Sequence, residues 1–305
     1  MSLFSPLLFP VYCRENIIFV LDETALPFDE NYVKVGKLSE ALDVLGQMKT
    51  RSLGQVLLFF YSCALFNEAE NAYGIAEEFL KIRPTFDFMF IAGMIEKQKE
   101  RGVKPIDAAK FFIDHFDKTR RTRAKVLAGQ LPQDAKIATV CNVNGELIYL
   151  YEELISAGKK CEFIVCETRP YLQGTRLTFW ELTKNDIPAR LCCDNQISWI
   201  MKNGGVNCVV TGADRASVKG DIINKIGTYA ISRAAHEFGI PFYALTQYPR
   251  DIDIDTIKIE LRPANEVFMY IDNDKIFHGD ALYPCFDVVK GEYITKSVDL
   301  NNPGK

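Results

Sequence analysis

The sequence predicts an α/β protein: a C-terminal domain built on a parallel sheet, preceded by a smaller, mainly helical N-terminal domain. Three observations predict it. From Lys136 onward, short apolar runs alternate with helix-length segments, which is the pattern of βαβ units. Residues 36 to 128 instead repeat their apolar positions at helical spacing. Between the two stretches lies Gly129-Gln130-Leu131-Pro132-Gln133-Asp134, a polar segment with Gly and Pro that interrupts both patterns. The expected domains are therefore residues 1–128 and 129–305.

In chain order, residues 1 to about 35 read as strands, with Asn16-Ile17-Ile18-Phe19-Val20-Leu21-Asp22 the clearest run and Leu26-Pro27-Phe28-Asp29 a turn. A helix is expected after Lys37, with Ser39 as its N-cap and Leu42, Leu45 and Met48 on one face. Residues 52–66 are apolar enough for a buried helix, and further helices are expected over 73–80, 86–100 and 106–127. The basic run Lys118-Thr119-Arg120-Arg121-Thr122-Arg123 on the last of these reads as a solvated face. In the second half, strands are expected at 137–140, 162–166, 189–193, 207–211 and 241–245. Helices are expected at 146–156, 173–183, 196–203 and 222–238. At least two of Phe179, Trp180 and Trp199 are assigned to the core, and the tail 301–305 is expected to be loose.

Composition excludes several classes of function. The chain has 305 residues, 48% hydrophobic and 25% charged, so it can bury a sizeable core. A net charge of −4 supplies no general basic field for nucleic acid. No apolar run is long enough to span a membrane. The first ten residues lack a basic segment and carry Pro6 and Pro10, so no signal peptide is expected. Nine cysteines are scattered without a CxxC pair, which argues for free thiols in a reducing cytoplasm rather than zinc ribbons or disulfides. No GxGxxG or GxxxxGK[ST] motif occurs, and His115, His236 and His278 belong to no metal or hydrolase motif.

What remains lies at the strand ends, where open parallel sheets bind ligands. They carry Cys141-Asn142, Glu167-Thr168-Arg169, Asp194-Asn195 and Gly212-Ala213-Asp214-Arg215. Taken singly, each has a plain explanation. Cys141 fits a buried small hydrophobe, Asp194 fits a helix cap, and Glu167 and Arg169 fit a surface pair. Together they would line one rim. Asn224 and Lys225 are expected to open the helix after Asp214, where free N–H groups suit a phosphate.

The stretch from Glu167-Thr168-Arg169-Pro170 through Gln173-Gly174-Thr175-Arg176-Leu177-Thr178 and Trp180-Glu181-Leu182 resembles the signature of methylthioribose-1-phosphate isomerases. So do Gly212-Ala213-Asp214-Arg215, Gly220-Asp221 with Asn224-Lys225-Ile226-Gly227-Thr228, Ile259-Glu260-Leu261-Arg262, and Phe286-Asp287-Val288. Leu21-Asp22-Glu23-Thr24-Ala25-Leu26-Pro27 and Arg83-Pro84-Thr85 extend the resemblance over nearly the whole chain. Its superfamily includes ribose-1,5-bisphosphate isomerase and the regulatory subunits of translation initiation factor 2B. The resemblance implies a Rossmann-like C-terminal domain and an aldose–ketose isomerase acting on a deoxy- or methylthio-ribose 1-phosphate. It implies no metal, no organic cofactor, no nucleic acid or membrane partner, and a homodimer. It assigns acid–base chemistry to Cys141 and Asp214, and substrate contacts to Arg51, Arg83, Gln173, Asn224 and Lys225. The alternative within the same superfamily is a non-catalytic regulatory or sugar-phosphate-binding paralogue. Two departures bear on that choice. Arg51-Ser52-Leu53 stands where the family has Arg-Gly-Ala, and the segment after Cys141-Asn142 is shorter than the family's small-residue loop.

Overall fold

A computed structural model describes residues 3–66, 71–270 and 280–299. The tail 301–305 and His278 lie outside the described residues. The chain divides into two compact units, one up to Thr119 and one from Arg120.

The first unit opens with three antiparallel strands, β1 (Val11–Arg14), β2 (Ile17–Leu21) and β3 (Tyr32–Val35). Glu15 and Asn16 join β1 to β2 with φ of 53° and 59°, the left-handed pair that a two-residue hairpin turn requires. Four helices follow: α1 (Leu38–Gly46), α2 (Leu53–Leu65), α3 (Ala72–Ile82) and α4 (Phe88–Glu100). The long α5 (Pro105–Gln130) comes next. Ser39 does not cap α1. The helix starts two residues earlier, at Leu38, with Lys37 in the cap position and no side-chain cap. Helix α2 is buried nearly all round, as its unbroken apolar sequence demands. Phe59, Phe79 and Phe88 pack with ring centroids 5.2 Å apart at the centre of this unit.

The division between units falls inside α5, and its last turns correct the reading of the basic run. Arg120 and Arg123 are buried, not solvated. The Arg123 guanidinium makes a two-pronged ion pair with Glu146 and also donates to the Thr246 carbonyl. Arg120 donates to the Asn144 carbonyl at 3.2 Å. These arginines carry core-facing partners, so their spacing on the helix, not their charge, decides where they sit.

The second unit is a six-stranded parallel sheet. Its strands are β4 (Asp134–Thr139), β5 (Lys160–Cys166), β6 (Ala189–Cys192), β7 (Cys208–Gly212), β10 (Phe242–Thr246) and β12 (Lys296–Asp299). Between β7 and β10 come β8 (Arg215–Ala216) and β9 (Ile222–Lys225), and β11 (Phe286–Val289) precedes β12. The order across the parallel sheet is β12-β10-β7-β4-β5-β6. The chain therefore runs from β4 outward through β5 and β6, returns to the other side of β4 as β7, and proceeds to β10 and β12. The connecting helices are α6 (Glu146–Ser156), α7 (Trp180–Lys184, entered through a π-helical turn at Gly174–Phe179), α8 (Ile197–Lys202) and α9 (Thr228–Glu237). Val140, Ile164, Val209, Phe242, Ile231 and Ala235 share one core that joins the sheet to α8 and α9. No helix of the described residues is long and apolar enough to cross a membrane.

Two further corrections follow. Residues 222–238 are not one helix. Ile222–Lys225 form β9, the middle of a small antiparallel sheet ordered β11-β9-β8. Gly227, at φ 101°, ends it before α9 begins. Ile222, Ile223 and Ile226 satisfy a helical spacing, but a β-branched pair followed by glycine is also strand chemistry. The outcome depended on a partner strand sixty residues downstream. Trp199 is the second correction: it lies 69% exposed on α8, and Phe179 and Trp180 are only partly buried.

Candidate active site

The strand order reverses between β4 and β7, and open α/β sheets bind ligands outside the carboxyl ends of the strands at such a point. Cys141 lies just past the end of β4, and Asp214 just past the end of β7. The two strands are direct neighbours, with Ala138 paired to Val209. The segment after Cys141 lies against the end of β7, because a Cβ on Gly212 would sit 3.4 Å from the Val143 side chain. Asp214 is partly exposed, and its N–H donates to the Ile223 carbonyl at 2.8 Å, which ties the Asp214 loop to β9.

Cys141 is partly exposed, outside any disulfide, and in the left-handed region at φ 66°. Its N–H donates to Thr168 Oγ1 at 2.8 Å, and its carbonyl accepts from Thr178 Oγ1 at 2.7 Å. The Asp194 carboxylate accepts the N–H groups of Thr168 and Arg169, each at 2.8 Å. Asp194 thus shapes the loop after β5. Arg169 does not pair with Glu167; its guanidinium donates to the carbonyls of Val267 and Pro170. Behind this loop Cys166 and Cys192 face each other across β5 and β6 with sulfurs 3.9 Å apart. The Cys192 hydrogen bond and burial push the Cys166 thiol up.

Gln173 is buried, and neither its amide nitrogen nor its oxygen has a hydrogen-bond partner among the described residues. Buried polar groups are normally satisfied, and the Gln173 amide keeps its hydrogen-bonding capacity unused among the described residues. Asn224 and Lys225 are both buried on β9. Asn224 Nδ2 donates to Thr228 Oγ1 at 3.0 Å. Lys225 Nζ reaches Cys285 Sγ at 3.1 Å and sits 4.8 Å from the Phe286 ring centroid, with no carboxylate partner among the described residues. A buried ammonium without a counter-ion is costly, and an incoming anion would offset that cost.

These two residues do not open a helix. Helix α9 starts three residues later, and its first N–H groups are already engaged. Asp287 Oδ2 accepts from Gly227 N at 2.7 Å and from Tyr229 N at 3.0 Å. Burial raises the Asp287 carboxyl above its ordinary range, against the pull of these two N–H groups. A phosphate seat at Asn224-Lys225 would therefore use side chains, not a helix terminus.

Arg51 and Arg83 belong to the first unit, and both are buried. Arg51 N donates to Glu23 Oε1 at 2.9 Å, and its guanidinium lies 3.9 Å from the same carboxylate. Burial pushes the Glu23 carboxyl up, opposed by Arg51. Arg83 Nη1 contacts Met48 Sδ at 2.8 Å, so both arginines border the Met48–Arg51 turn. Ser52 takes φ 37° and ψ −105°, a conformation natural to glycine and strained for serine. Sequence reasoning placed Asn142 at a strand end beside Cys141 but gave it no role, and it did not single out Thr178 and Glu181, which stand inside the stretch that carried the resemblance.

Residues 79–298 match the initiation factor 2 subunit family. The chain is 30% identical over 290 residues to a methylthioribose-1-phosphate isomerase of Syntrophotalea carbinolica, covering 85% of this chain and 84% of that protein. It is 31% identical over 322 residues to one from Carboxydothermus hydrogenoformans, covering 93% and 92%. The crystal structure of 5-methylthioribose 1-phosphate isomerase from Pyrococcus horikoshii superposes with a TM-score of 0.73 at 26% identity, over 96% of this chain and 93% of that one. The delta subunit of translation initiation factor eIF-2B from A. fulgidus shares the fold, with a TM-score of 0.71 at 23% identity over 95% and 94% of the two chains. The parallel-sheet unit and its flanking strands are thus those of a known lineage: the chain belongs to the initiation factor 2 subunit family.

Proposed function

We propose that this protein is an aldose–ketose isomerase that converts methylthioribose 1-phosphate, or a close pentose 1-phosphate, to the corresponding ribulose 1-phosphate. The names of the curated relatives support the reaction class. The observation that carries the reading for this chain is the placement of Cys141 and Asp214 past the ends of two neighbouring strands at the reversal of strand order.

The chemistry needs two proton-transfer groups and an anchor. The phosphate on C1 prevents the sugar ring from opening unaided. In this reading Asp214 gives a proton to the ring oxygen as the C1–O bond breaks, and Cys141 takes the proton from C2. The resulting enol phosphate receives the proton back at C1, while the 2-hydroxyl proton returns to Asp214 and leaves a C2 ketone. Lys225 and Asn224 would hold the phosphate, with Gln173 on the sugar hydroxyls. Arg51 and Arg83 are assigned as further phosphate ligands on their sequence positions, since a guanidinium fork suits phosphate oxygens.

The test is product formation followed by NMR with methylthioribose 1-phosphate as substrate. Cys141→Ala and Asp214→Asn are each expected to lower kcat by roughly 10³-fold or more. Lys225→Met should raise KM more than it lowers kcat. Full activity in either of the first two variants would remove the assignment, and binding without turnover by the wild-type protein would favour a regulatory paralogue. A homodimer accompanies this reading, and light scattering at two concentrations checks it.

A further inference from the structure

Cys141 is held in place by hydrogen bonds that belong to no strand ladder. Its N–H goes to the Thr168 hydroxyl and its carbonyl accepts from the Thr178 hydroxyl. Thr168 Oγ1 in turn donates to the Cys166 carbonyl at 3.1 Å. On the other side, Asn142 Nδ2 donates to Thr178 Oγ1 at 3.0 Å and to Glu181 Oε1 at 2.9 Å, and Asn142 Oδ1 accepts the Asn144 N–H at 2.8 Å. Thr178 and Glu181 are buried. The direction of every bond is fixed. The Thr178 hydroxyl has one proton, and the Cys141 carbonyl takes it. Its oxygen must then accept, and the Asn142 amide supplies that donor while its second N–H is held by Glu181.

The network holds an unfavourable geometry. Cys141 has φ 66° and Thr168 has φ 63°, and a β-branched residue in the left-handed region is rare. Two such residues in direct contact persist only where the surroundings over-determine them, and such places cluster where geometry serves chemistry.

We propose that Thr178, oriented by Asn142 and Glu181, is a positioning residue that locks the Cys141 backbone and so sets the direction of its thiol. This rests on the isomerase reading for its kinetic consequence but not for its geometric one. Thr178→Val removes the hydroxyl at nearly constant volume. It should lower kcat about 10- to 100-fold with KM within about twofold, since small displacements of a reacting group cost rates of that order. Thr178→Ser should restore kcat to within about threefold of wild type, because it returns the hydroxyl.

A second readout needs no substrate. Iodoacetamide alkylation of Cys141, followed by mass spectrometry of its peptide, is measured against the exposed Cys193 as internal standard. The Cys141 to Cys193 rate ratio should change at least about threefold in Thr178→Val and return in Thr178→Ser. Glu181→Gln, which keeps the shape and weakens the bond to Asn142, should shift both readouts in the same direction by less, and it carries the test if Thr178→Val does not fold. Unchanged kcat together with an unchanged ratio in these variants overturns the proposal. If the wild-type protein shows no turnover, the isomerase reading fails and the alkylation ratio alone decides the positioning role.

Discussion

Gly174 sits where a single methyl group should be felt by both stability and chemistry. A Cβ built there would lie 1.7 Å from the carbonyl oxygen of Cys166, 2.9 Å from its carbonyl carbon and 3.0 Å from Thr168 Oγ1. Cys166 ends β5 and is paired with Cys192 of β6, so its carbonyl cannot withdraw without loosening that end of the ladder. Relieving the overlap needs a shift of roughly 1.5 Å in the π-helical turn or in the loop at Thr168. Overpacking of this kind costs about 1–3 kcal/mol. Straining the Thr168 bonds to Cys166 and Cys141 adds about 1 kcal/mol each, and better helix propensity returns about 1 kcal/mol. Gly174→Ala is therefore expected to lose about 2–4 kcal/mol by urea denaturation. It should also lose activity well beyond what its folded fraction explains. Gly129→Ala, on α5 with nothing within 4 Å of its new Cβ, is the control and should be neutral or gain up to about 1 kcal/mol. If Gly174→Ala unfolds within about 0.5 kcal/mol of wild type, the close approach of this turn to β5 is not what the structure describes.

The buried Arg123–Glu146 pair predicts that Glu146→Gln destabilises by about 3–5 kcal/mol in urea unfolding, because the guanidinium is left without its counter-charge. The double change Arg123→Met with Glu146→Leu should recover most of that loss. Ser52→Gly should raise stability by about 1 kcal/mol by removing the strained φ, and a thermal melt at fixed pH reads it. Asp22 predicts an acid limb. Burial pushes its carboxyl up, but the Lys49 ammonium at 2.6 Å and the Thr24 hydroxyl and N–H outweigh that and leave it below its ordinary value. A folded-state value below the unfolded one contributes stability above the ordinary carboxylate range. That stability is lost as pH falls through the lowered value. Asp22→Asn should therefore flatten the melting temperature against pH below about pH 4, and an unchanged slope there would contradict the Lys49 pairing.

The parallel sheet was legible because strands buried on both faces read as short apolar runs, and Ile137, Val209 and Phe242 stand in three of them. Helix α6 was legible for the opposite reason: Leu147, Leu150 and Leu154 recur at helical spacing and are all buried. Strands β8, β9, β11 and β12 were not. Ile222–Lys225 finds its partner in Phe286–Val289, and no local periodicity announces a pairing of that reach. The strand-end rule brought out Cys141 and Asp214. The same rule reached Asn142 but not its role, and it missed Thr178 and Glu181, because their hydrogen bonds join loops that are adjacent only after the sheet has formed. Arg120 and Arg123 were misread because charge alone cannot distinguish a solvated face from one with a buried carboxylate waiting opposite.

The reversal between β4 and β7 also bears on how such a protein changes over evolutionary time. With right-handed crossovers, the connections leaving these two strands cover opposite faces of the sheet. The segments beyond the sulfur and the carboxylate therefore run on into helices on separate faces and meet at their bases, where Val143 lies against Gly212. Selection can recut that rim from either side without asking the strands to re-register, and the Val143–Gly212 contact is where a change in one loop is felt by the other.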